Sequence, residues 1–141
     1  VSAKLFDIPV CYDGPFAPDL EKVAEMCGLA PEEVIAAHLR ESLRVYMYGF
    51  APGYAYLGGL APEIRLPRRT SPVHGVPAGS VIIAGPQCIV TTFPMSTGWW
   101  IIGRSPARLF LPEQQEPVLF GIGDEVRFHR IGPEGLQAQN G

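Results

Sequence analysis

Arginine and aromatic side chains are concentrated in residues 49–104, and their chemistry suits an anionic or planar ligand. Guanidinium groups can hold a carboxylate or phosphate through paired hydrogen bonds, and aromatic rings can wall an apolar pocket. Each type also has a structural alternative, because basic clusters are often solvated surface and rings are often core. The candidate ligand-binding residues of this stretch are Tyr54, Tyr56, Arg68, Arg69, His74, Gln87, Trp99, Trp100 and Arg104.

Several common mechanisms lack the residues they need. Glu63 is the only acidic residue in 49–104, which leaves little for a carboxylate pair or a Mg²⁺ site. The chain has no GxxxxGK[ST], GxGxxG, GxSxG or HExxH motif. Cys11, Cys27 and Cys88 are far apart with no CxxC pair, so neither a disulfide framework nor a zinc site is predicted. A bound phosphate would have to be held by arginine and backbone N–H groups.

His38 lies outside this stretch, near the end of a predicted helix. A helix C-terminus favours a protonated imidazole, and a neutral imidazole can hydrogen-bond the last carbonyl groups. Spacing alone leaves two alternatives, a structural histidine and a proton carrier. His38 has no second histidine or cysteine at ligand spacing, so no metal ligand is predicted.

Two short helices and a series of short strands must position these side chains. Apolar residues between Leu20 and Cys27 recur at helical spacing, and Gly28 follows where a helix would end. A second helix is predicted over residues 31–40, with two acidic residues in its first turn. The two helices are expected to form a hairpin packed on the rest of the domain.

The rest of the sequence predicts short strands joined by turns. With 16 glycines and 15 prolines among 141 residues, a helical bundle is disfavoured. The proline-rich residues 62–77 are interpreted as a surface loop, and the tail from Gly132 carries no core signal. A single domain folded as a closed or nearly closed β-barrel is predicted. Alternation and short apolar runs place its strands at 5–11, 43–50, 54–57, 80–84, 87–92, 99–103, 108–111 and 125–131.

Charge and hydropathy exclude two classes of partner. The net charge of -3 and the presence of only two lysines, Lys4 and Lys22, do not supply the basic face of a nucleic-acid-binding protein. The longest apolar run, residues 98–103, is far shorter than the roughly 20 residues that span a bilayer. We therefore expect no nucleic-acid partner, no membrane association and a cytoplasmic location.

Three segments carry a resemblance to a known family: GFAPGYAYLGGL at 49–60, LPRRTSPVHGVPAGSVIIAG at 66–85 and TGWWIIGRSP at 97–106. With them, the chain resembles the family of allophanate hydrolase subunit 1 and the B subunit of 5-oxoprolinase, which includes Kip-type inhibitors of a histidine kinase. The resemblance implies a mainly β fold, a cyclophilin-like closed β-barrel with a short helical hairpin. It places the barrel domain at 1–132 and a flexible tail at 133–141, with the family's smaller N-terminal domain absent from this chain.

The resemblance also implies a function. The first hypothesis is a subunit of an ATP-dependent amidohydrolase of the 5-oxoprolinase type, which converts 5-oxoproline to glutamate together with a second cyclophilin-like subunit. That partner resembles allophanate hydrolase subunit 2 or the C subunit of 5-oxoprolinase, and the chain is expected to be inactive without it. ATP would be a co-substrate, and no metal or biotin would be bound by this chain itself. Two alternatives stay open, a histidine-kinase-binding inhibitor and the carboxyltransferase half-site of a urea carboxylase-like enzyme.

Residues that fall on the family's motif positions receive expected roles. His38 is the expected catalytic residue, as a proton carrier, with a loop anchor as the alternative. The arginines would hold phosphate or carboxylate, the rings would wall the pocket, and Gln87 would hydrogen-bond an amide. Val73 stands where many members have another arginine, so one anion contact is expected to be missing. The expected substrate- and nucleotide-binding residues are Tyr54, Tyr56, Arg68, Arg69, Gln87, Thr97, Trp99 and Arg104.

Overall fold

The computed structural model describes residues 5–48, 55–106 and 122–140. Two short 3-10 helices lie at Gly14–Phe16 and Pro62–Ile64. The helices are α1 (Leu20–Cys27), α2 (Pro31–Arg40) and α3 (Pro133–Asn140). The strands are β1 (Leu5–Cys11), β2 (Leu43–Tyr48), β3 (Ala55–Gly58), β4 (Val73–Val76), β5 (Ser80–Ala84), β6 (Gln87–Val90), β7 (Met95–Thr97), β8 (Trp100–Arg104) and β9 (Glu125–Ile131).

Seven of these strands close into a barrel in the order β1-β8-β5-β6-β3-β2-β9. All neighbours are antiparallel except β1 and β9, which run parallel with Leu5 opposite Glu125 and Cys11 opposite Ile131. Closure leaves these strands no unpaired edge. The prediction of a mainly β closed barrel with a helical hairpin is confirmed.

The barrel interior is filled by every second residue of its strands. Val10, Val45, Val81 and Ile102 are among the fully buried members, each at most 1% exposed. Period-two alternation sends these side chains inward, and β-branched residues pack well on a pleated surface. Removing one buried aliphatic side chain from such a core costs about 2–5 kcal/mol.

A second apolar cluster lies outside the barrel, beneath a two-stranded ribbon of β4 and β7. Ile82, Ile89, Trp99 and Ile101 form its buried part, and side chains such as Val73 pack against it. The strand β5 is therefore buried along its whole length. This two-sided burial explains why β5 reads as a continuous apolar run in the sequence.

The helical hairpin packs against the barrel through α1 on β8 and α2 on β9. Leu20, Val23 and Ala24 form the buried side of α1. The helix ends at Gly28, whose φ of 71° is left-handed and whose N–H donates back to carbonyl groups of the last turn. At the start of α2 the Glu33 carboxylate accepts a hydrogen bond from the Ala30 N–H at 2.7 Å.

The structure differs from the sequence interpretation at residues 73–76 and 95–97, which form β4 and β7, and at residues 133–140, which form α3. Residues 73–76, predicted as part of a surface loop, form β4, because β4 pairs with β7 to cover the outer cluster. Residues 133–140, predicted as a flexible tail, form α3, with Leu136 buried at 2% exposure. The strand predicted at 108–111 lies outside the described residues. Within those residues no helix is long and apolar enough to cross a membrane.

Candidate functional site

The structure places the predicted site residues in three regions: the barrel interior, the end of β8, and the outer wall. The outer wall is the outside of the barrel around the second apolar cluster. His38 lies in the interior and Arg104 ends β8, while Tyr56, Arg69, Gln87, Thr97 and Trp99 lie on or beside the outer wall. Tyr54 lies outside the described residues.

His38 is fully buried, with 0% exposure, between α2 and the barrel interior. Its Nδ1 hydrogen-bonds to the Tyr12 hydroxyl, its Nε2 lies 3.6 Å from the Cys88 Sγ, and its ring stacks on Phe128 with centroids 4.4 Å apart. Burial lowers the pKa of His38 to about 3, so the imidazole is neutral at physiological pH. A residue so enclosed cannot touch a substrate, and this geometry supports the structural alternative and not the proton carrier.

Arg69 links the proline-rich segment to Asp19, the residue that precedes α1. Its Nη1 contacts Asp19 Oδ1 at 2.8 Å, and its guanidinium lies 4.8 Å from the Trp100 ring centroid. The second carboxylate oxygen of Asp19 accepts the Ile101 N–H at 2.8 Å. Asp19 therefore bonds both the Arg69 guanidinium and the backbone of β8. Because Arg69 is predicted from the sequence to hold an anionic ligand, its pairing with Asp19 means that its charge is already used within the protein.

Arg104 lies at the other end of β8, with its guanidinium 5.5 Å from the ring centroid of Phe16. Partial burial lowers the pKa of Arg104 below its ordinary value, although a guanidinium stays charged at neutral pH. Since Asp19 contacts Ile101 and Arg104 is three residues further along the strand, the two positions are about 10 Å apart along β8. The predicted arginines therefore do not form one cluster.

Three rings form an aromatic row on the outer wall, composed of Tyr46, Tyr56 and Trp99. Tyr46 and Tyr56 meet edge to face with centroids 6.4 Å apart, and Tyr56 meets Trp99 in the same way at 6.0 Å. Edge-to-face contacts fix the relative orientation of neighbouring rings. The row runs from an exposed end, where Tyr46 is 43% exposed, to a buried end at Trp99, which is 7% exposed.

Gln87 is hydrogen-bonded to Tyr46, at the exposed end of the aromatic row. Its Nε2 donates a hydrogen bond to the Tyr46 hydroxyl oxygen. Partial burial raises the pKa of that hydroxyl; the hydrogen bond from Gln87 opposes the rise and Tyr56 adds to it. The Tyr46 O–H proton and the Gln87 Oε1 have no partner among the described residues. This pair can donate to a carbonyl oxygen and accept from an N–H, which is what an amide group requires.

The buried end of the row adjoins the two neighbouring arginines. Thr97 Oγ1 accepts the Trp99 N–H at 3.0 Å and shapes the turn before β8. The backbone N–H of Arg69 donates to the Gly98 carbonyl at 2.7 Å, which sets the proline-rich segment beside that turn. The side chain of Arg68 is exposed and has no ion pair among the described residues. Arg68 therefore offers an exposed cation next to this end of the row.

Two contributors are missed by the sequence interpretation. Neither Tyr46 nor Asp19 is among the candidate residues of the sequence analysis. The available signal for Tyr46 is an aromatic ring on the solvent side of an alternating strand, where a charged residue such as Arg44 is more usual. No sequence signal pairs Asp19 with an arginine 50 residues away. Among the described residues, no group of three or more His, Cys, Asp or Glu is arranged to hold a metal.

The sequence and the fold are both similar to those of known proteins. The profile of the family described as carboxyltransferase domain, subdomain C and D, matches residues 1–120. The chain belongs to the carboxyltransferase domain, subdomain C and D, family. The resemblance drawn from the motifs is confirmed by a relative from Bacillus subtilis, named as the B subunit of 5-oxoprolinase, which is 48% identical over 140 residues.

The carboxyltransferase-family chain corresponds to part of that relative, since the match covers 98% of this chain and 58% of the relative. A solved structure of a conserved uncharacterized protein from Pyrococcus horikoshii is 44% identical with a TM-score of 0.89, over 94% of this chain and 62% of that one. The Kluyveromyces lactis urea carboxylase is 19% identical with a TM-score of 0.79, over 100% of this chain and 15% of that protein. At that identity the last comparison shows the fold alone.

Proposed function

We propose that this chain is part of a subunit of an ATP-dependent amidohydrolase of the 5-oxoprolinase type, which opens 5-oxoproline to glutamate. The observation that carries the proposal is the 48% identity to a 5-oxoprolinase B subunit across 98% of the chain. The chain acts with a second, similarly folded subunit, and ATP is a co-substrate of the complex. The complex works in the cytoplasm, and residues 1–132 are its barrel domain.

The aromatic row gives this proposal a structural basis. 5-Oxoproline presents a lactam N–H, a lactam carbonyl and a carboxylate. The Gln87 Oε1 can accept the N–H and the Tyr46 hydroxyl can donate to the carbonyl. An amide held by both contacts has a fixed orientation, which is the first requirement for attack on its carbonyl carbon.

Arg68 is the proposed contact for an anionic group, because it is exposed and free of ion pairs among the described side chains. Arg104 is the second proposed anion contact, at the far end of β8. Arg69 contributes by holding the loop that carries Arg68, through its bond to Asp19. The wall holds the substrate, and the partner protein supplies the catalytic groups that complete the site.

The experiment is a reconstitution of the full subunit with its companion subunits, with ADP release measured in the presence and absence of 5-oxoproline. We expect release that depends on 5-oxoproline and on all subunits. Arg68→Ala is expected to lower kcat/KM about tenfold to a hundredfold, because a charged hydrogen bond to a bound carboxylate or phosphate is lost. Arg127→Ala is the matched control, since Arg127 is an exposed arginine on β9.

Two results would contradict the proposal. If 5-oxoproline does not stimulate ADP release, the proposed reaction is refuted. Stimulation of ADP release by urea with biotin instead favours the carboxyltransferase half-site. Turnover equal to that of the parent protein in both Arg68→Ala and Arg104→Ala would refute the anion-binding role of these arginines without refuting the proposed reaction.

A further inference from the structure

Gly58 ends β3 at the place where the Tyr46 side chain of β2 reaches across to β6. The strand register sets Arg44 of β2 opposite Gly58, and Gly58 opposite Gln87 of β6. The Gln87 Nε2 donates to the Tyr46 hydroxyl oxygen, and β3 is the strand that separates β2 from β6. The Tyr46 ring therefore crosses β3, and it does so next to Gly58.

A shift in strand register explains how Tyr46 comes to point this way. Val45 of β2 is opposite Leu57 of β3, and Met47 is opposite Tyr56, so two steps along β2 match one step along β3. Tyr46 is the extra residue, which is the arrangement of a β-bulge, and a bulge redirects the side chain of the residue that it inserts. The redirected ring is also held by its edge-to-face contact with Tyr56.

The backbone of β3 does not require a glycine at position 58. Gly58 has no positive φ, unlike the next residue, Gly59, whose φ is 98°. A glycine inside a strand loses more conformational entropy on folding than other residues do, and it has no side chain to pack. A Cβ at position 58 would lie 3.2 Å from Tyr46 Cδ1 and 3.4 Å from Tyr46 Cε1, closer than the separation of about 3.5–4.0 Å that carbon atoms prefer. The missing side chain therefore makes room for the Tyr46 ring.

The room given to the ring decides where its hydroxyl group lies. The hydroxyl oxygen is further from the Tyr46 Cα than Cδ1 and Cε1 are. A rotation that relieves a contact at those two carbon atoms therefore moves the oxygen further than it moves them. Groups that orient a substrate must be held to within about 0.5 Å. A side chain at position 58 would thus disturb the contact between Tyr46 and Gln87.

We propose that Gly58 is a positioning residue for the substrate amide. Its missing side chain lets the Tyr46 ring cross β3 and sets the Tyr46 hydroxyl against Gln87, in the pair that holds the amide. Gly58 itself touches no substrate. This inference deepens the proposed function and rests on it, because it needs the Tyr46–Gln87 pair to bind the lactam.

The test is the kcat/KM for 5-oxoproline of the reconstituted complex, in a double-mutant cycle of Gly58→Ala and Tyr46→Phe. We expect Gly58→Ala to lower kcat/KM about three- to tenfold in the parent background, up to the loss of one hydrogen bond. In the Tyr46→Phe background the hydroxyl is already absent, so the same substitution should cost less than about twofold. Equal losses in both backgrounds, or an unchanged kcat/KM in the parent background, overturn the proposal.

Gly132→Ala is the matched control. Gly132 also has no positive φ, and its added Cβ would lie 3.1 Å from Oε1 of Glu134. Gly132 follows β9 at the end remote from Glu125, which is the residue that pairs with Arg44 beside Gly58. We expect its kcat/KM to stay within about twofold of the parent value. A loss equal to that of Gly58→Ala would mean that the contact with the Tyr46 ring is not the cause, and it overturns the proposal.

An NMR measurement distinguishes failure of this proposal from failure of the proposed function. In the ¹⁵N-labelled 141-residue chain, the side-chain amide signal of Gln87 is assigned by its loss in Gln87→Leu. In Gly58→Ala the signal should move towards its position in Tyr46→Phe, and in Gly132→Ala it should not move. An unmoved signal in Gly58→Ala overturns the proposal, whether or not the complex is active. If the signal moves but the parent complex does not turn over 5-oxoproline, the proposed function is refuted and the placement of Tyr46 by Gly58 is supported.

Discussion

The neighbouring arginines Arg68 and Arg69 should respond differently to the same substitution. Arg69→Ala removes the 2.8 Å contact with Asp19 and the contact with the Trp100 ring, while Arg68→Ala removes an exposed side chain. The Arg69 and Asp19 side chains are only 24% and 14% exposed, so their pairing is screened less than a surface ion pair.

The magnitude follows from what Arg69→Ala leaves behind. Breaking a fully buried ion pair costs about 3–5 kcal/mol, because one charge stays buried and unpaired. Asp19 retains the Ile101 N–H, and both side chains keep some water contact, so about 2 kcal/mol is expected from the pair. The lost cation–π contact adds about 0.5 kcal/mol. We therefore expect a loss of about 2–3 kcal/mol for Arg69→Ala and less than about 0.5 kcal/mol for Arg68→Ala.

Urea unfolding of the two variants and the parent chain measures this difference. The expected result is a lower midpoint for Arg69→Ala with an unchanged slope, and a midpoint for Arg68→Ala equal to that of the parent. Equal losses in both variants, or a loss below about 0.5 kcal/mol for Arg69→Ala, would refute the structural role of Arg69.

Two further predictions concern the barrel. His38, with its pKa lowered to about 3, is neutral in the folded chain and takes up a proton near pH 6.5 when unfolded, so stability should fall as pH drops from about 6.5 towards 3, by up to about 1.4 kcal/mol per pH unit. His38→Gln should flatten that dependence in urea midpoints measured between about pH 4.5 and 7.5, and an identical dependence in both chains would contradict the assignment. Gly79→Ala should cost at least about 2 kcal/mol, because φ is +86° and the new Cβ would overlap the Ser105 carbonyl oxygen. Gly85→Ala, with φ of +55° and open space, should cost about 1 kcal/mol, and thermal unfolding that ranks the pair the other way would contradict the packing described.

The barrel and the helical hairpin could be predicted because their signals are local. Alternation marks β9, a continuous apolar run marks β5, and Gly28 marks the end of α1. The ribbon of β4 and β7 could not be predicted in this way. Its strands are short, and they form because residues distant in sequence need cover for the outer cluster.

The candidate site was less accessible to sequence reasoning, because long-range contacts decide which of two similar residues is engaged. Arg68 and Arg69 are identical in type, and only the position of Asp19 separates a structural arginine from an exposed one. His38 carries a reactive side chain, yet Tyr12, Cys88 and Phe128 enclose it. Burial and partner identity are set by the closed barrel and not by local spacing.

The central proposal is that Tyr46 and Gln87 hold the amide of the substrate. It is tested most directly by the kcat/KM for 5-oxoproline of the reconstituted complex carrying Tyr46→Phe or Gln87→Leu, with Arg127→Ala as control. Each site variant should lose about tenfold, the effect of one hydrogen bond of about 1.4 kcal/mol, while the control stays within about twofold. Site variants that retain the kcat/KM of the control in an active complex would contradict the account.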